Sequence, residues 1–261
     1  MKSFASYAAI GDSFTEGVGD ELADGGVRGW ADLVALGLAS AHAASSRAAS
    51  GSAAGEFGYA NLAIRGRLLG PIIDEQLDAA IALKPDLLSL NGGGNDIMRP
   101  KVSVESVADQ LASAAEKAMA AGIHVLLLSG GNPTHHIPLG ARIELRGEQL
   151  AVAVRARVPQ SENVTFVDNW ADAELTDLRY WSVDKLHLNA LGHRRVAGNI
   201  LTALGVPVPD WGDEVPELQR PGTLAYWRGY VVPWIGRRLT GRSSGDGREP
   251  KRPTLMPVEL P

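Results

Sequence analysis

Residues 6–17 read SYAAIGDSFTEG, and this stretch decides the fold. A short apolar run, 6–11, ends at Gly11, and the polar residues Asp12 and Ser13 follow at once. In open α/β sheets the loops at the carboxyl ends of the strands converge, and reactive groups gather there. A serine at a strand-to-helix turn, after a glycine that allows the bend, has an exposed hydroxyl and a backbone N–H that points the same way. The structural alternative is that Ser13 only caps the following helix.

The same pattern continues to about residue 204, because short β-branched apolar runs alternate with longer segments of 3.6-residue periodicity. This alternation is typical of a parallel sheet covered by helices on both faces. We predict an α/β fold of the doubly wound, flavodoxin-like kind, a sandwich with a mostly parallel five-stranded sheet between helices. The predicted strands are 6–11, 58–62, 86–91, 124–129 and 164–168. The predicted helices are 30–42, 71–83, 102–121, 139–158 and 190–204.

Two segments depart from this pattern. Residues 43–55 are nearly all Ala, Ser and Gly, which predicts an exposed loop. From residue 207 proline becomes frequent and helical periodicity fades, so we expect one domain over 1–206 and a C-terminal extension over 207–261. Aromatic residues and arginines interleave over 226–239, where Pro233 and two glycines argue against one continuous amphipathic helix.

Within the extension, residues 220–252 carry eight basic and two acidic residues, so this stretch is basic, whereas the rest of the chain is acidic. We expect its aromatic residues to pack on the core, its arginines to pair with the acidic surface, and the chain to be disordered from about Arg242. The alternative is contact with an anionic membrane surface through 222–242, to which interleaved aromatic and basic residues are suited.

Composition excludes several classes of function. The formal net charge is −5, which is mild and of the wrong sign for a protein that binds nucleic acid by neutralising phosphates. Cysteine is absent, so disulfides, thiolate metal sites, iron–sulfur clusters and a cysteine nucleophile are excluded. The sequence begins without the apolar region of a signal peptide, and no stretch is long and apolar enough to span a bilayer. We therefore expect a cytoplasmic protein.

Three further loops carry polar residues after predicted strands. Gly66 lies in a turn after the second strand, and NGGGND, residues 91–96, follows the third. Three glycines leave space for a ligand, and Asn95 offers an amide donor into that space, although both loops could be structural turns. In VDKLHLN, residues 183–189, Asp184 and His187 are three residues apart and can lie side by side. Asn189 is the expected N-cap of the last helix, which leaves His187 free for another task.

Together the four loops resemble the SGNH hydrolases, also called the GDSL esterase and lipase family, over about residues 6–204. The matching motifs are GDS at 11–13, Gly66, GGND at 93–96 and D-x-x-H at 184–187. Phe14 departs from the family pattern, in which a leucine stands there. Arg65 precedes Gly66 where a smaller residue is expected, and its side chain is long enough to reach the site.

The resemblance implies a serine esterase that hydrolyses carboxylic esters. Ser13 would be the nucleophile, His187 the general base and acid, and Asp184 the group that fixes the imidazole tautomer. The backbone N–H groups of Ser13 and Gly66 and the side-chain amide of Asn95 would form the oxyanion hole. The resemblance implies neither metal nor cofactor, and the substrate is left open among short-chain esters (an acetylesterase), acetylated sugars, lysophospholipids (a lysophospholipase) and acyl thioesters (a thioesterase).

Two alternatives rest on other features. A glycine-bearing loop between a strand and a helix could hold an anion, so a non-catalytic nucleotide- or phosphate-binding α/β module is possible, although neither glycine-rich phosphate motif occurs there. A metal site built from His135, His136, His187 or His193 is weaker, because the first two are adjacent in sequence and Asp184 has another use. We expect His135 and His136 to line the mouth of the pocket or to face solvent.

Overall fold

The fold is built on a six-stranded sheet with strand order β5-β4-β3-β1-β2-β6. The computed structural model describes residues 4–50, 55–138, 140–159, 161–212, 218–240 and 242–260. The strands are β1 (Ser6–Ile10), β2 (Gly58–Asn61), β3 (Leu87–Asn91), β4 (His124–Leu128), β5 (Val164–Val167) and β6 (Arg252–Pro257). The first five pair in parallel, and β6 runs antiparallel to β2. The predicted α/β class and the five parallel strands are confirmed, and the predicted strand count is one too low.

Eight helical segments connect or follow these strands in the described residues. Helix α3 begins as Leu69–Pro71, continues as a π-helical stretch, Ile72–Leu77, and ends as Asp78–Ala82. Helix α8 has the same three-part form: Thr223–Tyr226, the π-helical Trp227–Val231, and Val232–Leu239. The others are α1 (Ser13–Glu16), α2 (Trp30–Ser50), α4 (Gly94–Ile97), α5 (Val104–Ala120), α6 (Gly140–Arg157) and α7 (Ala190–Ala203).

Strand β1 shows why the sheet is covered on both sides. Tyr7 and Ala9 belong to one buried apolar cluster, which also includes the packed faces of α2 and α7. Ala8 and Ile10 belong to a second cluster, which includes apolar residues of α3, α5 and α6. Since successive side chains of a strand point to opposite faces, an uninterrupted apolar strand requires two cores. The sandwich follows directly, and it directs the carboxyl ends of β1, β2 and β3 to one edge.

The prediction of a loop over residues 43–55 is wrong for residues 43–50. Helix α2 continues to Ser50, eight residues beyond its predicted end at His42. Alanine has the highest intrinsic helix propensity, so a segment rich in alanine extends a helix even without large apolar groups to bury. Residues 51–54 of the same prediction lie outside the described residues.

The prediction of disorder from about Arg242 is also wrong, because the chain returns to the sheet as β6. Gly58 of β2 pairs with Pro257, and a register shift follows Tyr59. Prolines in a strand are tolerated only at an edge, which is the position that β6 occupies. The extension thus covers an otherwise exposed edge of β2. A domain boundary at residue 206 stays a prediction.

The expected absence of one continuous helix over 226–239 is contradicted by α8, which is helical from Thr223 to Leu239. Pro233 lies in the first turn of the last α-helical stretch, directly after the π-helical turn, where the changed hydrogen-bond register accommodates a residue without an N–H. Tyr226 is buried, as expected for an aromatic residue packed on the core, whereas Trp227 is 41% exposed. Across the part of the chain that the structure describes, no helix has the length and apolar character needed to cross a membrane.

Lys251, directly before β6, connects the extension to helix α1, to helix α2 and to the segment between them. Its Nζ donates to the backbone oxygens of Glu16 (2.6 Å) and Val27 (3.1 Å) and to Asp32 Oδ2 (2.6 Å). The Lys251 and Asp32 side chains are 20% and 21% exposed, so this ion pair is mostly shielded from water. The contact joins chain segments more than two hundred residues apart.

We expect Lys251→Met to destabilise the protein by about 1.5–3 kcal/mol, because it keeps the apolar stem and removes three charge-assisted hydrogen bonds. The melting temperature should fall by about 3–10 °C. Arg248→Met is the matched control, since Arg248 is exposed and forms no ion pair with a described residue. Thermal unfolding followed by circular dichroism makes the comparison, and equal small shifts in the two variants would show that the Lys251 contact contributes little.

Candidate active site

The turn after β1 presents Ser13 at the edge of the sheet. Asp12, not Ser13, caps helix α1, because Asp12 Oδ1 accepts from the Phe14 N–H at 3.0 Å. The Ser13 hydroxyl is thereby left for another contact, so the reading of Ser13 as an N-cap is wrong. A side chain at Gly11 would place its Cβ 2.4 Å from Thr15 Oγ1, and only glycine fits this turn.

Gln76, which the sequence did not identify as part of the site, stabilises the turn at Gly11. Its side chain is buried, accepts from the Gly11 N–H at 2.8 Å and donates to the Gly11 carbonyl at 3.0 Å. Buried backbone polar groups at a turn need such partners. In the sequence, Gln76 is a polar residue between Ile72 and Ala80, which both lie on the apolar face of the predicted helix 71–83. A polar side chain at such a position is the signal that could have identified it.

Ser13, His187 and Asp184 form one chain of hydrogen bonds. His187 Nε2 lies 3.0 Å from Ser13 Oγ, and His187 Nδ1 lies 2.6 Å from Asp184 Oδ2. The other oxygen of Asp184 accepts from the Ser182 hydroxyl and from the N–H groups of Leu186 and His187. The arrangement suits proton transfer from a serine hydroxyl to an imidazole whose orientation a carboxylate fixes.

Local backbone geometry brings Asp184 and His187 together. Lys185, between them, has φ +61°, a left-handed conformation that is uncommon outside glycine and that tightens the turn. Asn189 caps helix α7 by accepting from the Gly192 N–H at 3.0 Å, as the sequence predicted. His187 therefore has no capping role.

Asp184 and His187 each stabilise the charged form of the other, so their pKa values shift in opposite directions. Burial raises the pKa of Asp184, but the hydrogen bonds and charge of His187 outweigh burial and hold it well below its usual range. Burial lowers the pKa of His187, and the hydrogen bond and charge of Asp184 more than compensate, so it lies above its ordinary value. Asp184 is ionised at neutral pH and stabilises a proton on the imidazole.

Three groups predicted for an oxyanion hole, Ser13, Gly66 and Asn95, line one cleft. The backbone N–H groups of Ser13 and Gly66 donate to no described residue. The Asn95 amide donates to Asp12 Oδ2 (3.1 Å) and to the Arg67 carbonyl (3.0 Å). The N–H groups of Ser13 and Gly66 thus have no partner among the described residues, and the Asn95 amide is oriented by Asp12.

Asp12 has a second role that its capping position did not suggest. Burial raises the pKa of Asp12 to about 6, while the hydrogen bond from Phe14 and the charge of His187 oppose this shift. Its carboxylate joins the Ser13 turn to the Asn95 loop, and it takes up a proton as the pH falls through about 6.

Arg65 does not extend into the cleft; it pairs with Glu16. Its Nη2 lies 2.6 Å from Glu16 Oε1, and its backbone N–H donates to Glu16 Oε2 at 2.6 Å. The pair fixes the backbone before Gly66, whose φ is +74°. Arg65 is therefore a positioning residue for the loop.

The other histidines considered as metal ligands, His135, His136 and His193, have structural partners. Burial lowers the pKa of His193 to about 3, and its Nδ1 accepts from the Trp30 N–H. His135 is exposed and contacts Glu144, while His136 contacts the Thr176 carbonyl. Within the described ranges, no three side chains of the metal-binding types come together.

Two apolar pockets adjoin the Ser13–His187 pair. The first, of about 150 Å³, extends between α5 and α6 and is lined by Leu111, Leu150, Val154, Phe166 and Trp181, among others. The second, of about 130 Å³, has a wall from helix α8, formed by Tyr230, Val231 and Trp234. The α8 wall was not predicted, since nothing in the sequence of the extension indicated where it docks.

One family model matches most of the chain. The model of a family described as the GDSL-like Lipase/Acylhydrolase family matches residues 9–195. None of the curated proteins compared with the chain matches it.

Solved structures share the fold. TesA is 24% identical, with a TM-score of 0.55, covering 76% of this chain and 97% of its own. A variant of Axe2, an acetyl-xylooligosaccharide esterase from a Geobacillus species, is 19% identical, with a TM-score of 0.56 and coverage of 80% and 97%. The lipase/acylhydrolase from Enterococcus faecalis is 18% identical, with a TM-score of 0.53 and coverage of 78% and 98%. At these identities the likeness concerns the fold.

The coupling of His187 to Asp184 can be measured by titrating the ring nitrogens in ¹⁵N NMR. We expect the pKa of His187 to lie above its ordinary value in the wild-type protein and to fall in Asp184→Asn, because the hydrogen bond and the charge that most strongly oppose burial are weakened or removed. Asp210→Asn serves as the control, because Asp210 is exposed and contacts Gly212. An unchanged His187 pKa in Asp184→Asn would contradict the assigned coupling.

Proposed function

The chain belongs to the GDSL-like lipase/acylhydrolase family, and from this premise we propose that it is a serine esterase that hydrolyses carboxylic esters through Ser13, His187 and Asp184. The observation that carries the proposal is the continuous hydrogen-bond chain from Asp184 Oδ2 through His187 to Ser13 Oγ. The family match also favours a hydrolase over a non-catalytic phosphate-binding module.

In the first half-reaction Ser13 Oγ attacks the ester carbonyl carbon, and His187 Nε2 takes the hydroxyl proton. The bond between the carbonyl carbon and the leaving oxygen then breaks, and His187 gives the proton to that oxygen. An alcohol departs and the acyl group stays on Ser13. Asp184 stabilises the imidazolium in between.

In the second half-reaction a water attacks the acyl-enzyme, with His187 again taking the proton. The Ser13 oxygen leaves with that proton and the carboxylic acid is released. Because the pKa of His187 is raised, its neutral, basic form prevails only at a pH above the ordinary range of a histidine. Activity should therefore rise as the pH increases through the pKa of His187.

Negative charge that develops on the carbonyl oxygen would be met by the N–H groups of Ser13 and Gly66 and by the amide of Asn95. Asn95 has to turn one N–H from Asp12 toward the oxyanion, since both of its amide hydrogens are engaged. That exchange suits a donor whose contact with the substrate is made mainly in the transition state.

The acyl chain would enter the apolar pocket between α5 and α6. A pocket of about 150 Å³ with apolar walls favours chains longer than acetyl, since an apolar cavity of about this volume holds benzene. Burial of each methylene contributes about 0.8 kcal/mol. This supports esters of medium-length fatty acids over acetylated sugars.

We expect Ser13→Ala to lower kcat by on the order of 10⁴- to 10⁶-fold on p-nitrophenyl butyrate and octanoate, because the nucleophile is removed. The melting temperature should stay near the wild-type value. Ser113→Ala, on the exposed face of α5, is the control. Hydrolysis by Ser13→Ala at the wild-type rate would mean that another group is the nucleophile.

Asn95→Ala should lower kcat by about 10²- to 10³-fold with a much smaller change in KM, because a transition-state donor is lost. Asn91→Ala, at the end of strand β3 and four residues before Asn95, is the comparison variant, since its buried amide donates to the Leu128 carbonyl. It should lower stability with only a small change in kcat. If Asn95→Ala behaves like this control, Asn95 is a turn residue without a role in oxyanion stabilisation.

A further inference from the structure

The C-terminal extension braces the turn that carries Asp184. Arg220 donates to the carbonyls of Leu178 (2.8 Å), Trp181 (2.7 Å) and Ser182 (2.8 Å). The Tyr226 hydroxyl donates to the Asp184 carbonyl at 3.1 Å. Helix α8 therefore lies against the catalytic turn as part of the site.

After helix α8 the extension packs on the Gly66 loop. A Cβ at Gly66 would lie 2.4 Å from Ser243 Oγ, and a Cβ at Gly245 would lie 2.1 Å from the Arg65 carbonyl. Backbones approach this closely only where both positions are glycine. The turn at 243–245 thus forms a fitted second wall of the cleft.

The cleft between these two contacts is polar and basic. It has a volume of about 120 Å³, and Ser13 and His187 lie on one side. The extension contributes Arg242, Ser243 and Ser244, and the loop after helix α4 contributes Arg99. No carboxylate is among the described residues that line it.

Arg99 and Arg242 differ from the other arginines near the site. Arg65 pairs with Glu16, and Arg67 pairs with Glu75 at 2.9 Å. Arg99 and Arg242 are exposed, and neither forms an ion pair with a described residue. Asp96 feels the charge of Arg99, but its carboxylate is occupied by the Leu69 N–H. Two guanidinium groups are thus available beside the nucleophile.

We propose, on the premise of the esterase function above, that this cleft binds a phosphate-bearing leaving group through Arg99 and Arg242. An amphiphilic ester would place its acyl chain in the apolar pocket and its polar part in the basic cleft, with the carbonyl at Ser13. Guanidinium groups match the oxygens of a phosphate in geometry and charge, and serine hydroxyls add donors. The alcohol side of the substrate, not only its acyl chain, is selected.

Phosphate on a leaving group has two chemical sources, a glycerophosphate and a coenzyme A thiol. The test compares the octanoyl esters of glycerol 3-phosphate and of glycerol, together with octanoyl-coenzyme A, below their aggregation limits. The variants are the double substitution Arg99→Ala with Arg242→Ala, the charge reversal Arg242→Glu, and the control Arg228→Ala. Arg228 is exposed on helix α8 and does not line the cleft.

The double variant should lose about tenfold in kcat/KM on at least one phosphate-bearing substrate, through KM, and less than about twofold on octanoylglycerol. Arg242→Glu should lose more, and Arg228→Ala should match the wild type. Raising the salt concentration should narrow the difference between wild type and variants. Which phosphate ester shows the effect identifies the source.

Binding is measured separately by titrating wild-type protein and the double variant with glycerol 3-phosphate, phosphate-bearing adenosine 3′,5′-bisphosphate, and glycerol. Weaker binding of a phosphate compound to the double variant supports the proposal whatever the turnover. Equal losses on charged and neutral esters, or equal binding, would overturn the proposal while hydrolysis of octanoylglycerol leaves the esterase function standing. Absence of hydrolysis of every ester would instead overturn the proposed function.

Discussion

The position of the site depends on the carboxylate of Glu16. Its oxygens accept from the backbone N–H, Nε and Nη2 of Arg65, and its backbone carbonyl accepts from Lys251. One residue, three positions after Ser13, thus joins the nucleophile turn to the Gly66 loop and to the last strand. Breaking a buried pair costs about 3–5 kcal/mol, although the intact pair contributes little compared with apolar residues of the same volume. We infer that the main contribution of the Glu16–Arg65 pair is to fix the position of the Gly66 loop relative to the turn that carries Ser13.

The strands of the parallel sheet were predictable to within about one residue at each end, because a strand buried on both faces is a continuous apolar run. Strand β6 lacks this signal. It contains two prolines and is mostly exposed, and its pairing with β2 joins residues about two hundred positions apart. The predicted end of helix α2 at His42 is wrong for another reason. Residues 43–50 lack large apolar groups, which favours a loop, but the high helix propensity of alanine extends the helix to Ser50.

The residues of the candidate site were predicted from four motifs, and each motif is local. Asp184 and His187 are three positions apart, and a turn with two residues between them brings their side chains together. The supporting groups are not local: Gln76 acts on Gly11, and Arg220 acts on the turn before Asp184. Such contacts depend on how the helices pack against the rest of the fold. A single sequence does not show which residues far apart along the chain come into contact.

The extension contacts the turn that carries Asp184 and also forms part of the wall of the candidate site. Arg220 and Tyr226 fix the turn of Asp184, and the same segment of chain continues as the wall that holds Trp234 and Arg242. A displacement of helix α8 would move the carboxylate turn and the substrate wall together. Since a misplacement of about 1 Å at reacting groups can cost about 10²-fold in rate, the extension cannot vary freely in position. Two further contacts, Lys251 beside Asp32 and Gly245 against Arg65, anchor the extension independently of α8. The position of the cleft wall is therefore set by several contacts at separate points along the extension.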